Sequence, residues 1–245
     1  MPELPDLLYI RSSLLSLVKG RTITGLEIRQ PVVLRVVMPE PAGAILSGRS
    51  IDAINLHGPF LRIELAGEVD IVIHLMLAGR LQHQPAGSKA EPFLCLSLVL
   101  DDGTRLNLCD GEKMAKAYIV PRGEYGRIPK YLTQGLSVLS PEFTLEMFRK
   151  IAAGHRRKQV RVFLNDQTLL SAIGNAYADE ILFEACLHPK TFVGKLADED
   201  IKRLHEAIGS TLEWGRREVE RAGMPMHTKV REHMRVRNRH GQACP

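Results

Sequence analysis

The chain has 245 residues, 44% of them hydrophobic, enough for a sizeable core and for two modest domains. Its 33 Lys and Arg against 28 Asp and Glu leave a net charge of +5, which excludes an acidic solubiliser and favours a polyanion partner. Aromatic residues at 5% are too few for platforms that stack single strands, and the four scattered cysteines form no CxxC pair, which excludes a disulfide scaffold.

No apolar run reaches the ~18 residues that span a membrane. The start, MPELPD, lacks the basic and apolar regions of a signal peptide. A soluble cytoplasmic protein with reduced thiols and no membrane partner is expected.

In chain order, Leu7, Leu8, Ile10, Leu14, Leu15 and Val18 recur near a 3.6-residue period. With Asp6 in the first turn and Gly20 past the end, the spacing predicts a helix over about 5–19. Strand-like runs follow at 22–28, 32–37, 60–65, 69–77, 93–100 and 104–109, with Asp101-Asp102-Gly103 as a hairpin signal between the last two. One helix followed by antiparallel strands predicts a β-sandwich or flattened barrel over 1–120. Residues 121–139, rich in Pro, Gly and Ser, read as a connector. Beyond it Ser140 caps a helix with Pro141 at its first position and Phe143, Leu145, Phe148 and Ile151 as its buried stripe. Further helices are expected at 158–165, 169–173, 175–186 and 196–222, giving a helical domain over 140–226 and a basic tail over 227–245. The fold class is α+β.

Two stretches carry chemistry. In Met1-Pro2-Glu3-Leu4-Pro5-Asp6 the prolines and acids suit a helix start. Removal of Met1 would also free the Pro2 nitrogen as a secondary amine. An α-amino group titrates near ~8 against ~10.4 for lysine, so its neutral fraction at pH 7 is about two orders of magnitude larger. Such an amine can attack C1′ of a nucleoside, with Glu3 beside it for proton transfer. In the second stretch, Gly174-Asn175 opens a helical run, where Asn175 either caps the helix or helps present its amides to a phosphate. Arg156, Arg157, Lys158 and Arg161 lie upstream, as a solvated face or a phosphate-binding one.

PELP at 2–5, IVIHLMLAGRL at 71–81 and GNAYADEILFEACLHP at 174–189 together resemble the formamidopyrimidine-DNA glycosylase / endonuclease VIII family. The resemblance runs from Pro2 to Cys244. It implies an N-terminal helix and β-sandwich, then a helix–two-turn–helix domain, acting on double-stranded damaged DNA. It makes Pro2 the nucleophile and Glu3 its acid/base partner, and sets His74, Asn175, Arg156 and Arg157 near the DNA backbone. Leu77, Lys113 and Met114 then fill the gap left by a flipped base.

The sequence also departs from the family. Pro59 stands where a lysine assisting base loss is usual, and His57 is a weak substitute. The loop after Ala222 is short, which puts 8-oxoguanine specificity in doubt. Lys229, Arg231, Arg235, Arg237 and Arg239 lead to Cys244, which fits the first ligand of the family's zinc ribbon. One thiol cannot hold a structural Zn²⁺, so no metal or other cofactor is expected in this chain, and zinc only if the natural chain continues.

A monomeric bifunctional glycosylase and abasic-site lyase is the expected function. A catalytically weakened lesion-binding protein and a glycosylase shifted to bulky or alkylated bases are the alternatives.

Overall fold

The computed structural model describes residues 1–239 and 241–243, which form two compact units. The first comprises Met1–Pro2, Asp6–Leu132 and Gly223–Lys229; the second comprises Glu3–Pro5, Thr133–Ala222 and the chain from Val230 onward. Residues 121–132 therefore pack with the first unit, and the stretch after Ala222 returns to it before the tail rejoins the second.

In the first unit α1 (Leu4–Val18) is followed by β1 (Ile23–Ile28), β2 (Leu34–Val36), α2 (Ala42–Leu46), β3 (Ile51–His57) and β4 (Phe60–Leu65). Then come β5 (Val69–His74), β6 (Arg80–Gln84), β7 (Leu94–Leu100), β8 (Arg105–Cys109) and β9 (Lys116–Pro121). A four-stranded sheet has the order β1-β7-β8-β6 and a five-stranded sheet the order β2-β9-β5-β4-β3. All pairings are antiparallel except edge strand β2, which runs parallel to β9. The sequence reading missed α2, β3, β6 and β9. In β3 and β6 the apolar residues are few or interrupted by polar ones, and α2 and β9 are apolar runs of only five and four residues, so neither period stands out. The start of the 32–37 run is a 3₁₀ turn at Pro31–Val33, set by the fixed φ of proline.

β5 shows what the sandwich demands. Val69–Ile73 are all buried, so both faces of this central strand are covered. On the outer face Phe60, Val72 and Val120 pack beneath Ile128 and Tyr131 of the 121–132 segment. Asp70, fully buried on that face, accepts from Arg122 Nε at 3.0 Å and from the Tyr125 hydroxyl. That pairing satisfies a buried carboxylate and ties the covering segment down.

The second unit has β10 (Leu136–Ser137), α3 (Leu145–Gly154), α4 (Val160–Asn165), β11 (Leu170–Ser171), α5 (Asn175–Glu184) and α6 (Asp198–Ala222). Residues 169–173 are not a helix: β11 pairs in parallel with β10. The cap of α3 is Thr144 rather than Ser140, its Oγ1 accepting from Met147 N at 3.2 Å. Of the expected α3 stripe, Phe148 is buried, while Phe143 stacks on His205 with ring centroids 4.7 Å apart.

The basic tail is docked along α5. Glu180 has no exposed surface, and its carboxylate accepts from the amides of Arg235 (3.0 Å), Val236 (2.9 Å) and Arg237 (3.0 Å). Arg235 Nη1 reaches Glu184 at 2.6 Å, and Arg237 Nη1 reaches Asp179 at 2.9 Å. These arginines are therefore engaged in internal ion pairs. Cys244 lies outside the described residues. Glu180→Ala leaves three tail amides without their acceptor and is expected to cost about 3 kcal/mol; urea unfolding and faster proteolysis of residues 230–239 measure it.

Candidate active site and nucleic-acid interface

Glu3 is the most constrained of the residues singled out from the sequence. It is 5% exposed, and its Oε2 accepts from the amides of Gly174 (3.1 Å) and Tyr177 (2.9 Å), while Oε1 accepts from that of Ala176 (3.0 Å). A helix start leaves its first amides without partners, and here the carboxylate of the chain's third residue takes them. Leu4 N donates to Ala172 O at 2.9 Å and fixes the same stretch. Gly174 makes the seat possible: a Cβ there would lie 2.6 Å from Glu3 Cδ. Asn175 is consequently not the cap. It is the first residue of α5, exposed, with Oδ1 accepting from Asn165 Nδ2 at 3.0 Å.

The chain start lies against the turn that follows β5. The Met1 ammonium donates to Leu77 O at 3.3 Å. Gly79 N closes the turn onto Leu75 O at 2.9 Å, and Leu77 at its tip is 67% exposed. A Cβ on Gly79 would fall 2.4 Å from Leu75 O and 2.8 Å from Ala115 Cβ, so this turn presses on the end of the neighbouring 110–115 turn. There the buried Asp110 accepts from Glu112 N at 2.9 Å and Ala115 N at 2.7 Å, shaping the backbone that exposes Lys113 and Met114. Lys113 takes a left-handed φ of +56°, and Met114 is 38% exposed. The structure thus brings together Leu77 and the Lys113–Met114 pair as two adjacent turns with solvent-facing apolar tips.

His74 ends β5. Its Nδ1 accepts from Met76 N at 3.0 Å, which leaves the ring proton on Nε2. Burial, together with the charges of Lys130 and the N-terminus, pushes its pKa down to about 4. At neutral pH His74 is an uncharged donor. His57 is held elsewhere on the sheet: it stacks on Tyr131 at 4.2 Å, and its Nε2 donates to Tyr131 O at 2.8 Å, so any proton transfer by this ring falls to Nδ1. Pro59 occupies the two-residue loop between the paired His57 and Phe60.

Of the upstream basic stretch, Lys158 pairs with Asp166 at 2.8 Å and Arg161 with Asp179 at 2.6 Å. Arg156 and Arg157 are exposed, and Arg156 Nη2 donates to Gly194 O at 3.3 Å. The sequence reading missed Tyr177 and Glu180. Tyr177 is wholly buried, its hydroxyl 3.2 Å from His233 Nε2 and its ring beneath the Arg231 guanidinium at 5.7 Å. The signal was present in both cases, as a large aromatic and an acid inside an apolar helical run. Among the described residues no group of three or more His, Cys, Asp or Glu side chains is arranged to hold a metal ion.

The N-terminal domain model of formamidopyrimidine-DNA glycosylase matches residues 1–117, and the H2TH domain model of that enzyme matches 135–225. The Moorella thermoacetica formamidopyrimidine-DNA glycosylase is 31% identical over 254 residues, covering 100% of this chain and 91% of its own length. The Bacillus subtilis one is 35% identical over 219 residues, covering 87% and 77%. The MutM (Fpg) crystal structure from Thermus thermophilus superposes with a TM-score of 0.84 at 30% identity, covering 100% and 90%. A Lactococcus lactis Fpg solved with DNA containing an abasic site shares the fold at 23% identity and a TM-score of 0.78, covering 88% of this chain and 82% of that one. The helix-led sandwich, the helical second unit and these relationships agree, and the chain belongs to the formamidopyrimidine-DNA glycosylase family.

Proposed function

We infer that this protein is a bifunctional DNA glycosylase that removes a damaged base and then nicks the abasic site. The observation that carries the reading is Glu3 clamped by three amides of α5 and its cap, with Pro2 one peptide bond away. Once Met1 is removed, the Pro2 nitrogen attacks C1′ and the base departs with the electrons of the glycosidic bond. The sugar ring opens as O4′ gains a proton through Glu3, leaving an iminium between Pro2 and C1′. Loss of a C2′ proton then expels the phosphate from C3′ and cuts the strand. A side chain fixed by three hydrogen bonds meets the positional tolerance this chemistry needs.

Residues of each unit are proposed to contact the DNA. Leu77 and Met114 enter the space vacated by the extruded nucleotide, with Lys113 beside them. Asn175, exposed at the first position of α5, and Arg156 and Arg157 hold backbone phosphates, and His74 adds a neutral N–H donor. The AP-site-containing DNA bound by the Lactococcus lactis protein is the type of partner proposed here. A monomer acting in the cytoplasm, on nucleoid DNA, completes the reading. Pro59 at the hairpin tip and the shared Nε2 of His57 favour a second reading, a lesion-binding protein with weakened chemistry. The short segment after Ala222 is the feature that favours the further alternative, a glycosylase shifted to bulky or alkylated bases.

Borohydride reduction in the presence of abasic-site DNA is expected to yield a covalent protein–DNA adduct; its absence with protein shown by intact mass to lack Met1 would overturn the lyase assignment. Pro2→Gly is expected to slow base removal far more than it weakens binding. Gly174→Ala should displace the Glu3 carboxylate and lower kcat by about 100-fold with little change in duplex affinity, as single-turnover assays report. A panel of oxidised, ring-opened and alkylated lesions, scored separately for base release and nicking, is expected to show both activities on at least one oxidised or ring-opened base. Binding without release throughout supports the weakened binder.

A further inference from the structure

We propose that Gly194 is a positioning residue that holds the Arg156 guanidinium ready for a DNA phosphate, an inference that rests on Arg156 being a backbone contact, as above. The seat is built between two stretches of the second unit. Residues 156–160, leading into α4, run beside residues 191–194. Val160 N donates to Thr191 O at 2.8 Å, and Gln159 and Phe192 form an antiparallel bridge. Val193 N then donates to Lys158 O and Gly194 N to Arg156 O, both at 2.9 Å. Buried Val160 and Val193 anchor the two sides.

The Arg156 side chain closes the same pairing. Its Nη2 donates to Gly194 O at 3.3 Å, so both polar main-chain groups of Gly194 meet this one residue. A Cβ on Gly194 would lie 2.8 Å from Arg156 Cβ, 3.0 Å from Arg156 O and 3.2 Å from Arg156 Nε. Arg156 therefore lies across the face that a side chain at 194 would occupy. The φ of Gly194 is not positive, so its backbone does not call for glycine; the space taken by Arg156 does.

This hold orients the cation without neutralising it. Arg149, Lys158 and Arg161 of the same unit are each met by a carboxylate, from Asp198, Asp166 and Asp179. Among the described residues Arg156 has no acidic partner, and the group that holds it is a neutral carbonyl. A guanidinium has five N–H donors, so a bond to one carbonyl leaves others for a phosphate. Arg157 is exposed and, among the described residues, makes no such contact, so its side chain must be ordered on binding. α4, six residues and so about 9 Å long, separates this seat from Asn165, whose Nδ2 donates to Asn175. Arg156 and Asn175 thus flank one short helix, within the span of a single duplex.

The test is binding to a duplex carrying a tetrahydrofuran abasic analogue, measured across a range of salt. Gly194→Ala is expected to weaken binding about five-fold, the cost of ordering one long side chain, while keeping the wild-type salt slope because the charge remains. Arg156→Ala is expected to lower the slope of log affinity against log salt by about 0.9, one phosphate contact. In that background Gly194→Ala should bring no further loss. A further loss there, or no loss from Gly194→Ala alone, removes the role of Gly194 while leaving the phosphate contact. A wild-type slope in Arg156→Ala removes the contact itself and the proposal with it. Should Gly194→Ala fail to fold, NMR relaxation of arginine Nε–H groups in the free wild-type protein decides: Arg156 rigid and Arg157 mobile is expected, and equal mobility refutes the seat. If borohydride trapping fails while these results hold, the glycosylase assignment falls and the seat stands.

Discussion

A single carboxylate satisfying three backbone amides is the constraint on which the site depends. A helix beginning in the interior must have its first amides met, and α5 has no capping side chain of its own, because Gly174 occupies the cap position. The acceptor comes from residue 3, 171 positions before that glycine in the chain. The same contact therefore solves two problems. It completes the helix, and it fixes the stretch that begins with the proposed nucleophile. Glycine at 174 follows from this arrangement rather than from any turn, since its backbone is extended.

The first unit adds a platform. Because β5 is covered on both faces, the rows of side chains at its end are rigid, and the turns that follow β5 and β8 inherit that rigidity. Buried Asp110 and the close approach of Gly79 to Ala115 shape two loops that present apolar tips to solvent. Exposing leucine and methionine this way is unfavourable in water, and it is intelligible if both tips are buried when a duplex is bound.

Much of this was legible in the residues themselves. The periodic apolar stripe of α1, the Asp-Gly turn between β7 and β8, and the continuous run that became β5 were visible because local pattern and tertiary environment agree there. What was hidden is equally physical. β3 and β6 carry charged or amide side chains on half-covered faces, so their alternation is blurred, and β9 offers an apolar run of only four residues. β11 is two residues long and owes its pairing to β10 rather than to propensity. The helix-capping role of Glu3 could not be seen from spacing, because its partner is remote in sequence. The PELP stretch could nevertheless be singled out, since the chemistry of an N-terminal secondary amine beside an acid is a local property.

The docked tail has a consequence for how the molecule meets its substrate. The arginines at 235 and 237 look, in the sequence, like the strongest positive run in the chain, yet their fields are cancelled at short range by Asp179, Glu180 and Glu184. Diffusional capture of a polyanion is then guided by a sparse set of outward cations such as those at 156 and 157, and not by a dense basic stripe. The tail then adds little to that long-range steering, whatever its arginine count suggests.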